Sequence, residues 1–167
     1  MTDTERLYRE YQAPLVRYLT RRLGDRDWAE EIVQETFLRA LRQGTIVHER
    51  AWLFAVATNL VRDEARAHAR RRRHLTLLAE QERDAVFEPP VSDVERAQEA
   101  ALARRAVESL AERDRLALLM REEGLDYGEI AAALELSPGS VGTTLARARR
   151  RLATVYEALQ RSGEAHG

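Results

Sequence analysis

Arginine carries every positive charge in this chain, which has 27 basic residues and no lysine. The arginines cluster. Arg62, Arg66, Arg70 and Arg73 recur at spacings of four and three, which is one stripe of a helix, and Asn59 lies one turn ahead of them. Arg147, Arg149, Arg150 and Arg151 circle a second segment, in which Ser140, Thr143, Thr144, Arg147 and Arg151 share a face. Guanidinium presents a fork of donors to phosphates and base edges, and small hydroxyl side chains let a helix approach a groove closely. Both clusters therefore suit nucleic-acid binding. Blander accounts stay open for each: a basic helix end that complements the dipole, and an amphipathic hairpin with a solvated face.

A third group has the opposite sign. Residues 25–35 hold five carboxylates (Asp25, Asp27, Glu30, Glu31, Glu35) against Arg26. Capping at a helix start accounts for Asp25 and Asp27. Glu31, Gln34 and Glu35 fall on the face opposite Trp28 and Ile32, forming an exposed acidic and amide patch. DNA would be repelled there, so the patch reads as a protein-docking surface.

Residues for bond-making chemistry are missing. With no Cys, disulfides, thiolate metal sites and cysteine nucleophiles are excluded. The histidines (48, 68, 74 and 166) are not at ligand spacing, and no nucleophile elbow or phosphate loop appears. The expectation is a protein that is not an enzyme, with no catalytic residues, no metal and no cofactor. A stand-alone helix-turn-helix repressor is the competing reading. It needs a dimerisation element to match a palindrome, no heptad supplies one, and the acidic patch would have no role.

The elements that position these groups are helical. The formal charge of −1 is a cancellation. Acidic blocks at 25–35 and 80–99 offset basic blocks at 62–73 and 137–161. At 167 residues, 44% hydrophobic and 6% aromatic, the chain suits one domain or two small ones with Leu, Ala and Val cores. Leu7, Tyr8, Tyr11, Leu15, Tyr18, Leu19 and Leu23 form one apolar stripe, with Pro14 starting or kinking a helix and Gly24 ending it. Trp28, Ile32, Val33, Thr36, Phe37, Ala40 and Leu41 form another. A third helix spans about Arg50 to Arg73. Pro89-Pro90 and a run of acid mark a linker with some helix at its ends. Ser92, Ser109 and Asp126, each three before a Glu, signal capping boxes, and Ser137-Pro138 signals a further start. A short helix from Tyr127 to Leu134, a three-residue turn and a helix from Pro138 have helix-turn-helix dimensions. On the last helix Val141, Leu145, Ala148 and Leu152 should pack inward. The expected fold is all-α: two small helical domains, 1–75 and 97–160, joined by an acidic linker over 76–96, with a tail at 161–167. No apolar run approaches the ~20 residues of a membrane span, and the start of the chain has no secretion signal. A soluble cytoplasmic protein is expected, without membrane insertion.

The segment Trp28–Leu41, WAEEIVQETFLRAL, followed by Arg50–Asp63, RAWLFAVATNLVRD, resembles region two of bacterial RNA polymerase sigma factors, most closely the small extracytoplasmic-function (ECF) group. Leu125–Leu152 is similar to region four of that group. Together the matches run from about Tyr8 to Tyr156. The resemblance implies an alternative sigma factor that binds core polymerase and directs promoter recognition, DNA melting and initiation. Its partners would be the clamp helices and flap of the large polymerase subunits, promoter DNA and an anti-sigma factor. On this resemblance Glu31, Gln34 and Glu35 dock on the clamp helices. Asn59, Arg62, Asp63 and Arg66 engage the −10 element, and the loop Gln43–Glu49 receives a flipped non-template base. Ser140, Thr143, Arg147 and Arg151 meet the −35 element. Gly142 departs from the pattern, which often has Lys or Arg there. Trp52 is expected mainly as a core aromatic, with a role near the melted strand open, and Tyr127 as a residue buried against the recognition helix.

Overall fold

The computed structural model describes residues 2–79 and 91–165, and the side chains of 2–65 and 93–164. Every element among the described residues is a helix: α1 (Asp3–Leu23), α2 (Arg26–Gln43), α3 (Glu49–Ala79), α4 (Val91–Glu108), α5 (Glu112–Glu122), α6 (Tyr127–Leu134) and α7 (Pro138–Ala165). α1–α3 pack together as one unit and α4–α7 as another, with α6 laid on α3 and α5 on α1.

Local chemistry explains most boundaries. Thr2 and Glu5 form a reciprocal capping box at the start of α1, and Gly24 ends that helix at φ 68, where a Cβ would be costly. Asp25 accepts from the Trp28 N–H and opens α2. Asp126 and Glu129 form the capping box of α6. Glu135 then turns the chain into α7 at φ 56, a left-handed conformation that a side chain tolerates only with strain.

The first core centres on Leu15, Tyr18, Leu19, Ile32, Leu53, Phe54 and Leu60, all essentially buried. Tyr18 satisfies its phenol against the Thr58 hydroxyl at 2.8 Å and stacks at a tilt on Phe54, 5.1 Å between centroids. The second core holds Leu116, Met120, Leu125, Ile130, Val141 and Leu145. Burying each such side chain is worth about 1.5–3 kcal/mol; of the inward stripe expected on the last helix, Val141, Leu145 and Ala148 are buried and Leu152 is half-buried.

Several expectations change. Pro14 lies inside α1 and starts nothing; buried Leu7 on one side and Leu15–Leu19 on the other keep both halves in one helix. Tyr8 and Leu41 leave their stripes and stand half or more exposed, because each sits at the edge of its packed face. Ser109 does not cap α5. Its hydroxyl donates to the Ala106 carbonyl at 2.6 Å, and α5 begins after Ala111 with no side-chain cap. Ser92 falls inside α4, so it does not precede that helix. The linker, by contrast, carries helix at both ends as expected, through Ala79 and from Val91, while 80–90 lie outside the described residues. α7 also continues past the expected domain end at 160.

Candidate nucleic-acid interface

Asn59, Arg62 and Asp63 are exposed along α3. Arg66 is in the same helix, and its side chain lies outside the described set, as do those of Arg70–Arg73. Arg62 is exposed but engaged. Its Nε donates to Glu112 Oε1 of α5 at 3.0 Å, and its Nη1 donates to Asn59 Oδ1 at 3.4 Å. Glu112 also accepts from Arg22 Nη2 at 3.3 Å. The Arg22 side chain is only 6% exposed and donates again to the Thr58 carbonyl. Burial lowers its proton affinity. The hydrogen bond from Arg62, then its charge and that of Arg22, hold the Glu112 carboxyl below the usual carboxylate range.

The same seam continues on both sides. Arg50 grips Glu129 with two parallel bonds, Nε to Oε2 at 2.7 Å and Nη2 to Oε1 at 2.8 Å, which lowers the Glu129 carboxyl. Arg17 and Arg21 of α1 converge on Glu123. Beside α3 lies an open groove lined by Ile46, Val47, His48, Trp52 and Ala55, with Ala132 of α6 at its wall. The loop expected to receive a base thus shares this groove with one residue of the first helix of the helix-turn-helix. Trp52 is half-buried: one part packs on the core and one part faces this groove.

α7 presents Thr143, Arg147 and Arg151 outward, with Ser140 half-buried beside them. The Ser140 hydroxyl donates to the Ser137 carbonyl at 2.8 Å. Thr144 does not share this face: it is 4% exposed, and its hydroxyl donates to the Ser140 carbonyl one turn back. Arg147 is paired with Asp114 of α5, Nε to Oδ2 at 3.0 Å and Nη2 to Oδ1 at 2.6 Å. Tyr127 touches α7 without being buried by it. It remains 44% exposed, with the Arg121 guanidinium over its ring at 5.6 Å. Its Cε2 lies 3.6 Å from where a Cβ on Gly142 would stand.

Glu31 and Gln34 are exposed on α2 and Glu35 is half-buried there, with Arg39 Nε at 3.5 Å. Glu31 and Gln34 line a groove with Tyr8, Gln12 and Val16. A second groove beside it exposes Tyr8, Leu38 and Leu41. The acidic patch is therefore flanked by apolar side chains.

Glu112, Glu123, Glu129 and Asp114 are the carboxylates that pair with these arginines, and sequence reasoning did not single out the pairings. Glu112 and Glu129 stood out only as capping residues. Asp114 pairs with a residue 33 positions away, and no local signal announces that.

The fold and these surfaces define a two-unit helical protein with a helix-turn-helix and a second arginine-bearing helix. Comparison with known proteins gives the family. The sigma-70 region 2 model matches residues 7–71 and the sigma-70 region 4 model matches residues 100–152. SigL, an ECF RNA polymerase sigma factor of Mycobacterium tuberculosis, is 46% identical over 66 residues, covering 36% of this chain and 37% of SigL. BldN, an ECF sigma factor of Streptomyces coelicolor, is 32% identical over 154 residues, covering 89% of this chain and 58% of BldN. The matches span only those shares of the two curated relatives. The sigma factor RpoE of Bartonella quintana, solved in complex with the anti-sigma factor NepR, shares the fold at a TM-score of 0.59 and 23% identity, covering 92% of this chain and 98% of that one. The chain belongs to the sigma-70 family, in the form of its ECF members. Among the described residues, no helix is long and apolar enough to cross a membrane.

Proposed function

We propose that this chain is an alternative sigma factor: it binds core RNA polymerase, directs it to a promoter and favours strand opening. One observation carries the reading. Two arginine-bearing helices, α3 and α7, begin within separate matches to regions two and four, and α2 of the first unit exposes an acidic face that DNA would avoid. A stand-alone repressor has no use for that face.

The division of labour follows from the side chains. Glu31, Gln34 and Glu35 dock on the clamp helices of polymerase, and Tyr8, Leu38 and Leu41 supply adjoining apolar contact. Asn59, Arg62, Asp63 and Arg66 engage the −10 element, with the Trp52 groove beside the opened strand. Ser140, Thr143, Arg147 and Arg151 meet the −35 element. The chain makes and breaks no covalent bonds and acts with polymerase in the cytoplasm. Residues 1–75 and 97–160 act as its two functional domains. An anti-sigma protein is a proposed partner, since the similar RpoE was solved with one.

The test is reconstituted transcription with core polymerase on genomic fragments. Promoter-specific initiation that depends on this protein is the expected result. In the same assay Gln34→Ala with Glu35→Ala weakens core binding. Failure to bind core, together with no initiation on any fragment, contradicts the reading.

A further inference from the structure

We propose that Asp114 is a positioning residue for upstream promoter recognition: it grips one edge of Arg147 and leaves the other edge set to read a guanine. This rests on the reading that α7 meets the −35 element. Asp114 is the third residue of α5 and is 6% exposed, whereas the Arg147 side chain is 54% exposed. The carboxylate accepts from Arg147 Nε and from one hydrogen of Nη2. Those donors form the side edge of the guanidinium. Both hydrogens of Nη1 and the second hydrogen of Nη2 remain; that Nη2 hydrogen and one of the Nη1 pair form the end-on fork that fits O6 and N7 of guanine.

Position and charge agree with that role. A free arginine has many rotamers, and fixing one on docking costs entropy. Here α5 fixes it beforehand, because Asp114 is seated on a helix whose Leu116, Ala117 and Met120 are buried. A carboxylate near a groove normally repels phosphate. This one is shielded by burial and neutralised by its partner. Its hydrogen bonds from Arg147 outweigh the effect of burial and hold it below the usual carboxylate range, so it stays ionised at neutral pH.

The probe is a duplex pool with a randomised upstream segment, selected by holoenzyme made from the full chain and core polymerase. Wild-type holoenzyme is expected to enrich a guanine at a position that Arg147→Ala no longer specifies. Asp114→Ala should lower preference at that same position by about tenfold, with core affinity and the other positions unchanged. Asp114→Asn keeps the shape and one acceptor and should fall between. Combining Asp114→Ala with Arg147→Ala should add no further loss, as expected of two residues acting as one unit. If Asp114→Ala loses helical structure, the Asn variant alone decides. Unchanged preference in a folded Asp114 variant overturns the proposal, and so does an equal loss at all positions, which marks a merely structural pair. If wild-type holoenzyme enriches no upstream sequence, the −35 reading itself fails, and that result is distinct from either.

Discussion

Arg62 and Arg147 are each held by one carboxylate, and the two carboxylates live in different surroundings. Glu112 reaches Arg62 from the other unit, and both side chains of that pair are about half exposed (50% and 49%). Asp114 reaches Arg147 from within the same unit and is buried. An exposed pair is worth about 0–1 kcal/mol and is screened by salt. A carboxylate in a buried site cannot lose its partner cheaply. On the proposed reading the first pair is thus a cover that phosphate displaces, and the second is a mount that persists while the arginine works. Equal chemistry gives opposite consequences because burial differs.

The largest expected effect separates the two arginines. Arg147→Ala lowers discrimination between a cognate upstream element and a substituted one by tenfold or more, in the range of about 1–3 kcal/mol for a bidentate base contact. Arg62→Ala weakens binding to all sequences alike and makes the plot of log affinity against log salt shallower by about one. Salt-titrated holoenzyme binding to both promoters checks this. If Arg147→Ala weakened the two promoters equally, the contrast would collapse.

Gly142→Arg sharpens the comparison by adding a cation to the helix that carries Arg147. A Cβ there meets Tyr127 at an ordinary 3.6 Å, and replacing glycine within a helix gains about 0.8–1 kcal/mol. Severalfold tighter promoter binding and a steeper salt slope, by about one, are expected in the same titration.

The smallest effect comes from acid. Glu112, Glu129 and Asp114 all have carboxyls lowered in the folded chain. Their contribution is complete above the unfolded values, about 4.3 for Glu and 3.9 for Asp, and is lost as pH falls through the folded ones. Urea midpoints should be level from pH 7 to about 5 and decline below about pH 4, with the Glu112→Gln, Glu129→Gln variant declining less.

Much of the fold was legible before the structure. Helical periodicity and the caps at Asp25, Gly24 and Asp126 are local properties, and α2, α6 and the start of α7 fall where those residues point. Thr144 was misplaced because exposure on a helix depends on what packs beside it, and the Ser109 signal misled because its hydroxyl had a nearer carbonyl in α4. At the site, the residue types of α3 and α7 suggested DNA from sequence alone. The carboxylates that hold Arg62 and Arg147 did not stand out, since each pairing joins positions distant in sequence that only the tertiary fold brings together.

The most direct measurement is the distance between the two units. The chain has no Cys, so cysteines placed at exposed Ala13 and Ala158 take donor and acceptor dyes without competition. Energy transfer in the free protein should report the closed arrangement, with Glu112 on Arg62 and Glu129 on Arg50. On holoenzyme formation and promoter binding the distance should increase, and Glu112→Arg with Glu129→Arg should increase it in the free chain. An unchanged distance in the promoter complex, with transcription intact, would contradict the claim that Arg62 is uncovered in order to work.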